Sequence, residues 1–167
     1  LELKPDHAKA YSNIANALNN LGKYEEAIIS YNKAIRLEPN HTALYSNLGI
    51  ALRSIKIDAF SISLAKNYVD LINFRAIVRP RSLVNSIIVL LKHHDTIKKV
   101  ISCKEQDTLG DLAAEFCIRL SKIPLFMKIM EVCPIPDLKI EEVLTELRKI
   151  LLLGRKKLST NNDLLRF

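Results

Sequence analysis

Apolar residues recur at helical spacing along most of the chain, and the first forty residues show the pattern most clearly. They predict two amphipathic helices that Gly22 separates and Pro39 ends, because glycine breaks a helix and the residue before a proline leaves α geometry. Apolar positions three or four residues apart share one helix face, which is expected to point inward. The predicted inward residues are Tyr11, Ile14, Ala15, Leu18, Ala27, Tyr31 and Ala34.

The same segment is repeated thirty-four residues later. Leu3–His7 recurs as Leu37–His41, and Tyr11–Asn13 recurs as Tyr45–Asn47, all in one register. Self-similarity at a fixed period indicates a helical-repeat protein. One helical hairpin cannot bury its apolar face alone, so neighbouring hairpins are expected to stack on it.

This pattern resembles the tetratricopeptide repeat (TPR) family. The family's signature of large apolar, small and proline positions falls on Tyr11, Ile14, Ala15, Leu18, Ala27, Tyr31, Ala34 and Pro39. The next repeat begins with Tyr45, Leu48, Gly49 and Leu52, but Ser61 replaces the expected alanine, so it is interpreted as a degenerate second hairpin. The resemblance implies stacked helical hairpins that bind another protein.

Beyond Phe74 the 34-residue period is lost, but the helical period continues. We predict an all-α protein with a short TPR solenoid over residues 1–74, followed by a bundle-like helical module over residues 75–167 that is truncated at its C-terminal end. Proline and glycine positions divide the second module. Its predicted elements are a helix from Arg81 to His94, a short turn at Ile97–Ile101, and helices over Gln106–Ile123, from Pro124, and over Asp137–Leu153.

This second module is similar to the region after the repeats in certain marine cyanobacterial TPR proteins. The similarity lies in Val78–Val84, Leu90–Asp95, Leu120–Phe126 and Cys133–Leu138. Some of those proteins resemble SAM-dependent methyltransferases with a downstream catalytic domain. The alternative function implied is therefore a non-catalytic helical front end of such a protein. A Gly-rich strand–loop–helix in the flanking sequence would favour that alternative.

Polar residues follow the other side of the first predicted helix and its repeat. TPR proteins bind partners on a concave face lined by the first helix of each repeat. An asparagine amide carries both donors and acceptors, so it can pair with a peptide backbone, and the pattern resembles the asparagine ladder of O-linked N-acetylglucosamine transferases. In the alternative that stays open, these asparagines pack against the next helix. The predicted groove residues are Lys9, Ser12, Asn13, Asn16, Asn20, Asn47 and Arg53.

The charge is moderately basic, at +7 for the whole chain. Residues 1–75 hold nine Lys and Arg against seven Asp and Glu, and residues 76–167 hold sixteen against eleven, so the excess is scattered. Nucleic-acid-binding proteins usually show a denser basic stripe, so we do not expect such a partner. We expect a protein or peptide partner, and the open end of the short array is a candidate surface for self-association.

No pattern in the chain predicts catalysis, a cofactor or a metal site. Four glycines leave no Gly-rich cofactor turn, no nucleophile lies beside a base, and His93 and His94 diverge on a helix by about 100°. Cys103, Cys117 and Cys133 form no C-x-x-C pair, which is typical of free thiols in a reducing compartment and favours a cytoplasmic location. No run approaches the ~18 apolar residues that span a membrane.

Overall fold

A computed structural model of the protein describes residues 5–74, 79–103, 109–132, 140–142 and 144–145. These residues are helical apart from their connections and include no strand, so the predicted all-α fold class is confirmed. Residues 140–142 and 144–145 are also helical. The longer helices are α1 (Pro5–Asn20), α2 (Tyr24–Leu37), α3 (Thr42–Ser54), α4 (Ile62–Asn73), α5 (Val84–Lys92), α6 (Asp95–Cys103), α7 (Leu109–Ser121) and α8 (Pro124–Val132), and a 3₁₀ turn spans Pro80–Ser82.

The described residues divide into two compact units. The first contains the chain up to Ile57 together with Asp70–Ser86. The second contains Asp58–Val69 and the described residues from Ile87 onward. The division falls inside α4 and α5, so each of these helices contributes residues to both units.

The α1–α2 hairpin turns where the sequence predicted. Gly22 has φ +75°, a left-handed conformation that favours glycine because it lacks a Cβ atom. The Gly22 N–H donates to the Asn19 carbonyl (3.1 Å) and the Lys23 N–H to the Leu18 carbonyl (2.9 Å), which is the Schellman arrangement at a helix C-terminus. At the end of α2, Glu38 has left α geometry, with φ −129° and ψ 76°, as a residue before proline is expected to do.

Small side chains fill the centre of this hairpin. Ala15, Ala27 and Ala34 are completely buried, and Tyr31 is 1% exposed. α2 packs against both α1 and α3. Leu48, Leu52 and other apolar residues of α3 are also buried. The close approach of the helices therefore depends on residues without bulky side chains.

Ile14 corrects one prediction. It was expected to point inward, but it is 49% exposed, whereas its repeat equivalent Leu48 is 2% exposed. The helical periodicity places the two residues on equivalent faces of α1 and α3. α2 precedes α3 and packs against it, whereas no helix among the described residues precedes α1.

Tyr45 secures the start of α3. Its hydroxyl donates to the Pro39 carbonyl (2.8 Å), and its ring stacks on Phe74 with centroids 4.1 Å apart. Burial, and secondarily the negative charge of Asp70, raise the pKa of the Tyr45 hydroxyl, so it stays a protonated donor. The aromatic residue at this repeat position thus holds the turn between α2 and α3.

α4 begins later than the repeat period predicts. Tyr24, the first residue of α2, is equivalent to Asp58, but α4 starts at Ile62. Ser61 explains the difference because its Oγ accepts from the Leu64 N–H (3.4 Å) and its carbonyl from the Ala65 N–H (2.9 Å), as in an N-cap. The residue that departs from the TPR signature therefore marks a new helix start.

In the second unit, Ile97–Ile101 is not the short turn that was predicted. It lies within α6, a nine-residue helix. The Thr96 N–H donates to Nδ1 of His94 (3.2 Å), so this histidine caps the helix, and Asp95 in the first turn favours the helix dipole. Ile97 and Val100 are buried on its inner face, while Lys98 and Lys99 are exposed.

The core of this unit includes α6, α7 and α8 as well as the buried α5 residues Ile87, Ile88, Leu90 and Leu91. α7 packs against α6 and α8, and Ile123, Leu125, Phe126 and Ile129 are buried around the α7–α8 connection. Pro124 opens α8 as predicted, whereas the 3₁₀ turn at Pro80–Ser82 delays α5 until Val84. Most of the predicted helix over Asp137–Leu153 lies outside the described residues.

Cys117 is a buried free thiol, which confirms the prediction for this cysteine. Burial raises its pKa to about 11, because the thiolate would lose its hydration. The side chains of Cys103 and Cys133 lie outside those described. A thiol with so high a pKa is a poor nucleophile at neutral pH, so Cys117 serves as a small core residue.

Candidate functional site

Asn16 joins the two repeats at the candidate site. Its Oδ1 accepts two hydrogen bonds, one from the Tyr31 hydroxyl (2.7 Å) and one from Nδ2 of Asn47 (3.1 Å). The three residues come from α1, α2 and α3, so one amide oxygen links all three helices. Burial raises the pKa of the Tyr31 hydroxyl, which keeps it a donor at physiological pH. We call these three residues the Asn16 cluster.

The predicted groove residues divide into two groups. Asn16 and Asn47 are half-buried and bonded to each other, so Asn47 contacts the first helix of the preceding repeat, whereas the packing alternative placed it against the next helix. The others offer their side chains more freely, since no hydrogen bond or ion pair engages them among the described residues. Ser12 is half-buried, and the exposed members are Lys9, Asn13, Asn20 and Arg53.

Repeat symmetry identifies further residues of the same surface that the sequence analysis did not include. The 34-residue offset pairs Ser12 with Ser46 and Asn16 with Ile50. Ser46 is exposed, and Ile50 is 42% exposed although its side chain is large and apolar. The same offset would have indicated both residues from the sequence. The surface therefore combines amides, hydroxyls and one accessible aliphatic side chain.

Positive charge dominates the electrostatics of this surface. α3 contains no acidic residue, and α1 contains none between His7 and Asn20. Lys9 and Arg53 are the lysine and arginine that these segments carry, and both are exposed. From His7 to Asn20 and along α3, a ligand would therefore meet two cationic side chains and no carboxylate of these segments.

The small interface residues, the tight turn at Gly22 and the 34-residue period define a helical-repeat protein. Residues 8–41 match the family model of the tetratricopeptide repeat, so the chain carries a TPR repeat. Such repeats generally mediate binding to protein partners and are typically non-catalytic. No curated protein and no solved structure gives a significant match to the chain. The resemblance of the second module to cyanobacterial methyltransferase-associated proteins therefore stays a prediction.

Within the described part of the chain, no three His, Cys, Asp or Glu side chains are grouped so that they could hold a metal ion. In the same residues, every helix is too short or too polar to cross a lipid bilayer.

Proposed function

We propose that the chain binds an extended peptide or a partner helix on the exposed surface of α1 and α3. We call this surface the α1–α3 surface, and it consists of Lys9, Ser12, Asn13, Asn20, Ser46, Ile50 and Arg53. The observation that carries the proposal is the set of polar side chains on α1 and α3 that make no hydrogen bond or ion pair among the described residues; Ser12 and Ser46 occupy equivalent positions of the two repeats, and the Asn16 cluster links the two helices.

The exposed asparagines of α1 lower the intrinsic stability of this helix. Asn is a weak helix former, disfavoured relative to alanine by up to about 0.7 kcal/mol per residue. Asn13 and Asn20 are exposed on α1 and make no hydrogen bond among the described residues, so nothing within the hairpin compensates that cost. Binding to the donors and acceptors of a peptide backbone would compensate it.

The charge favours an acidic ligand. Lys9 lies on α1 and Arg53 on α3. Neither α1 from His7 onward nor α3 contains an acidic residue, and the acidic residues between these segments lie on α2 and in the turn that follows it. Complementary charge raises the rate of association and discriminates against basic peptides. We therefore propose that the preferred peptide carries Asp or Glu side chains, with the backbone held by the amides.

A decapeptide array of random composition, probed with the whole chain, would test the proposal. Acidic peptides should be selected and then titrated by fluorescence anisotropy. The Lys9→Glu/Arg53→Glu variant should bind them at least about tenfold more weakly, as expected for the loss and reversal of two charge contacts. Asn13→Ala/Asn20→Ala should weaken acidic and neutral peptides alike, because it removes contacts to the backbone.

The matched control is Arg36→Glu/Lys98→Glu, which makes the same change in charge at exposed positions outside the α1–α3 surface. At the same salt concentration, this control should bind the acidic peptides as tightly as the unmodified chain does. Equal weakening by the control and by Lys9→Glu/Arg53→Glu would show only a general charge effect and reject this surface. Asn47 is avoided as a test position because its amide is bonded to Asn16.

We also propose that the face of α1 that exposes Ile14 mediates self-association. Ile14 on α1 is 49% exposed, and Leu21, which directly follows the end of α1 at Asn20, is 73% exposed. Sedimentation velocity should show a concentration-dependent dimer that Ile14→Gln/Leu21→Gln removes. Ile62→Gln is the control, because it replaces an apolar side chain on α4 that is 81% exposed, and it should leave the dimer intact. A monomer at all concentrations would contradict this idea.

The alternative, a non-catalytic helical front end of a methyltransferase-type protein, is compatible with the same surface. In that case the peptide held by α1 and α3 would be presented to a catalytic domain elsewhere in the full-length protein. A Gly-rich strand–loop–helix encoded directly downstream would favour this proposal, and its absence from the complete gene would end it.

A further inference from the structure

The second unit contains an open cavity of about 310 Å³. None of the residues that line it belongs to α1 or α3. Its walls come from the start of α4, the α5–α6 turn and the α7–α8 turn. We call it the lysine-rimmed cavity, since Lys66 and Lys122 line it and both are exposed. Its apolar wall is formed by Phe60, Ile62, Ala65, Val69, Ile123 and Leu125.

Fixed turns hold these walls in place. The Phe60 ring meets the His94 ring edge-on, with centroids 4.6 Å apart. His94 is itself fixed, because its Nδ1 accepts from the Thr96 N–H. Between α7 and α8, the Ile123 N–H donates to the Leu120 carbonyl (3.0 Å) and the Met127 N–H to the Ile123 carbonyl (3.1 Å). The cavity is therefore formed without a ligand, as small-molecule sites usually are.

The lining indicates the chemistry of an occupant. An almost wholly apolar wall favours a hydrocarbon group, since burying it releases water from both surfaces. Lys66 and Lys122 have no ion-pair partner among the described residues, and no acidic side chain is among the residues that line the cavity. Two unpaired ammonium groups beside an apolar wall favour a single anionic head group.

His94 agrees with this assignment of charge. Burial lowers the pKa of the His94 imidazole, and the neighbouring Asp95 opposes that shift more weakly. The ring is therefore neutral at physiological pH, and since Nδ1 accepts from Thr96, the proton is on Nε2. The positive charge of the cavity thus comes from the two lysines, while His94 contributes an aromatic wall and one N–H donor.

We propose that the lysine-rimmed cavity binds a medium-chain alkyl carboxylate, with the hydrocarbon chain along the apolar wall and the carboxylate at Lys66 and Lys122. At ~30 Å³ per non-hydrogen atom, the share of a water molecule in the liquid, the volume accommodates roughly ten such atoms. Octanoate has about this number. This site is independent of the proposed peptide binding, since it uses neither α1 nor α3.

The test is a titration of the full chain with octanoate, followed by the methyl NMR signals of Ile62 and Leu125. Saturable shifts of both signals are expected. Octanol should bind about tenfold more weakly, since it lacks the charge that the lysines attract. Lys66→Gln/Lys122→Gln should reduce octanoate affinity to the level of octanol and leave octanol binding unchanged. Ala65→Phe, which fills the half-buried wall position, should abolish the shifts from both compounds.

Two comparisons make the result decisive. Lys98→Gln/Lys99→Gln removes the same charge from exposed positions of α6 that do not line the cavity, and it should bind octanoate as the unmodified chain does. Octanol binding as tightly as octanoate would overturn the proposed anionic ligand. Shifts that do not saturate, or that appear at Ile14 and Leu21 instead of Ile62 and Leu125, would overturn the site.

Discussion

Replacing Asn16 with alanine is expected to lower the free energy of unfolding by about 2–3 kcal/mol, because two donors lose one shared acceptor. Tyr31 is 1% exposed, so its hydroxyl has little access to water once Asn16 Oδ1 is removed. Asn47 is half-buried, and its Nδ2 loses its bond to the neighbouring repeat. Thermal unfolding followed by circular dichroism should show a midpoint about 4–12 °C lower, from ~2–4 °C per kcal/mol for a chain of this size.

Asn13→Ala is the matched control for this prediction. It makes the same substitution on the same helix, three residues earlier, at an exposed position without an internal hydrogen bond among the described residues. Since alanine is the better helix former, its midpoint should be unchanged or slightly higher. A double-mutant cycle of Asn16→Ala with Tyr31→Phe should give a coupling energy of about 1 kcal/mol. Equal midpoints for Asn16→Ala and Asn13→Ala would show that the Asn16 amide is free to bind a ligand.

The asparagines show where sequence reasoning reaches its limit. Helical periodicity placed Asn13, Asn16 and Asn47 on the side of their helices away from the apolar stripe. It did not show that Asn16 and Asn47 bond to each other, because they lie thirty-one residues apart and not one repeat apart. That contact depends on how α1 and α3 are placed by the helix between them. The sequence thus predicted the surface but not which amides remain available on it.

Features with a local physical cause were predictable. Gly22 breaks the helix because the turn needs a positive φ, and Pro39 ends α2 because it constrains Glu38. The buried alanines followed from the spacing of small residues. α6 was missed because its cap is a histidine side chain, whereas Ser, Thr, Asp and Asn are the usual caps.

Features that need distant segments were not predictable. Ile14 fits the apolar stripe of a TPR helix, and nothing in its own sequence indicates that no described helix covers it. The lysine-rimmed cavity joins residues near Phe60, His94 and Ile123, which no periodic pattern connects. A single sequence gives the period and face of each helix, but it does not give the arrangement of neighbouring helices.

Replacing Ala15 with leucine is expected to destabilise the first unit by about 1–3 kcal/mol, because the added isopropyl group would overpack a buried position. Ala15 is completely buried, and its repeat equivalent is the buried Gly49, so both repeats keep this position small. A larger side chain must push α1 away from its neighbours or adopt a strained rotamer. The change should appear as a lower midpoint in thermal unfolding, with the far-ultraviolet spectrum at low temperature still helical.

Ala17→Leu separates this packing effect from helix propensity. Ala17 is exposed two residues further along α1, so leucine there meets no neighbour and has nearly the same propensity as alanine. If Ala17→Leu lowered the midpoint as much as Ala15→Leu, the alanine at position 15 would not limit the approach of the helices. If only Ala15→Leu lowered the midpoint, the peptide affinity of this variant would then test whether the position of α1 matters for binding. The Asn16 cluster lies next to Ala15, so displacing α1 should also weaken binding at the α1–α3 surface, whereas a ligand in the lysine-rimmed cavity should bind unchanged.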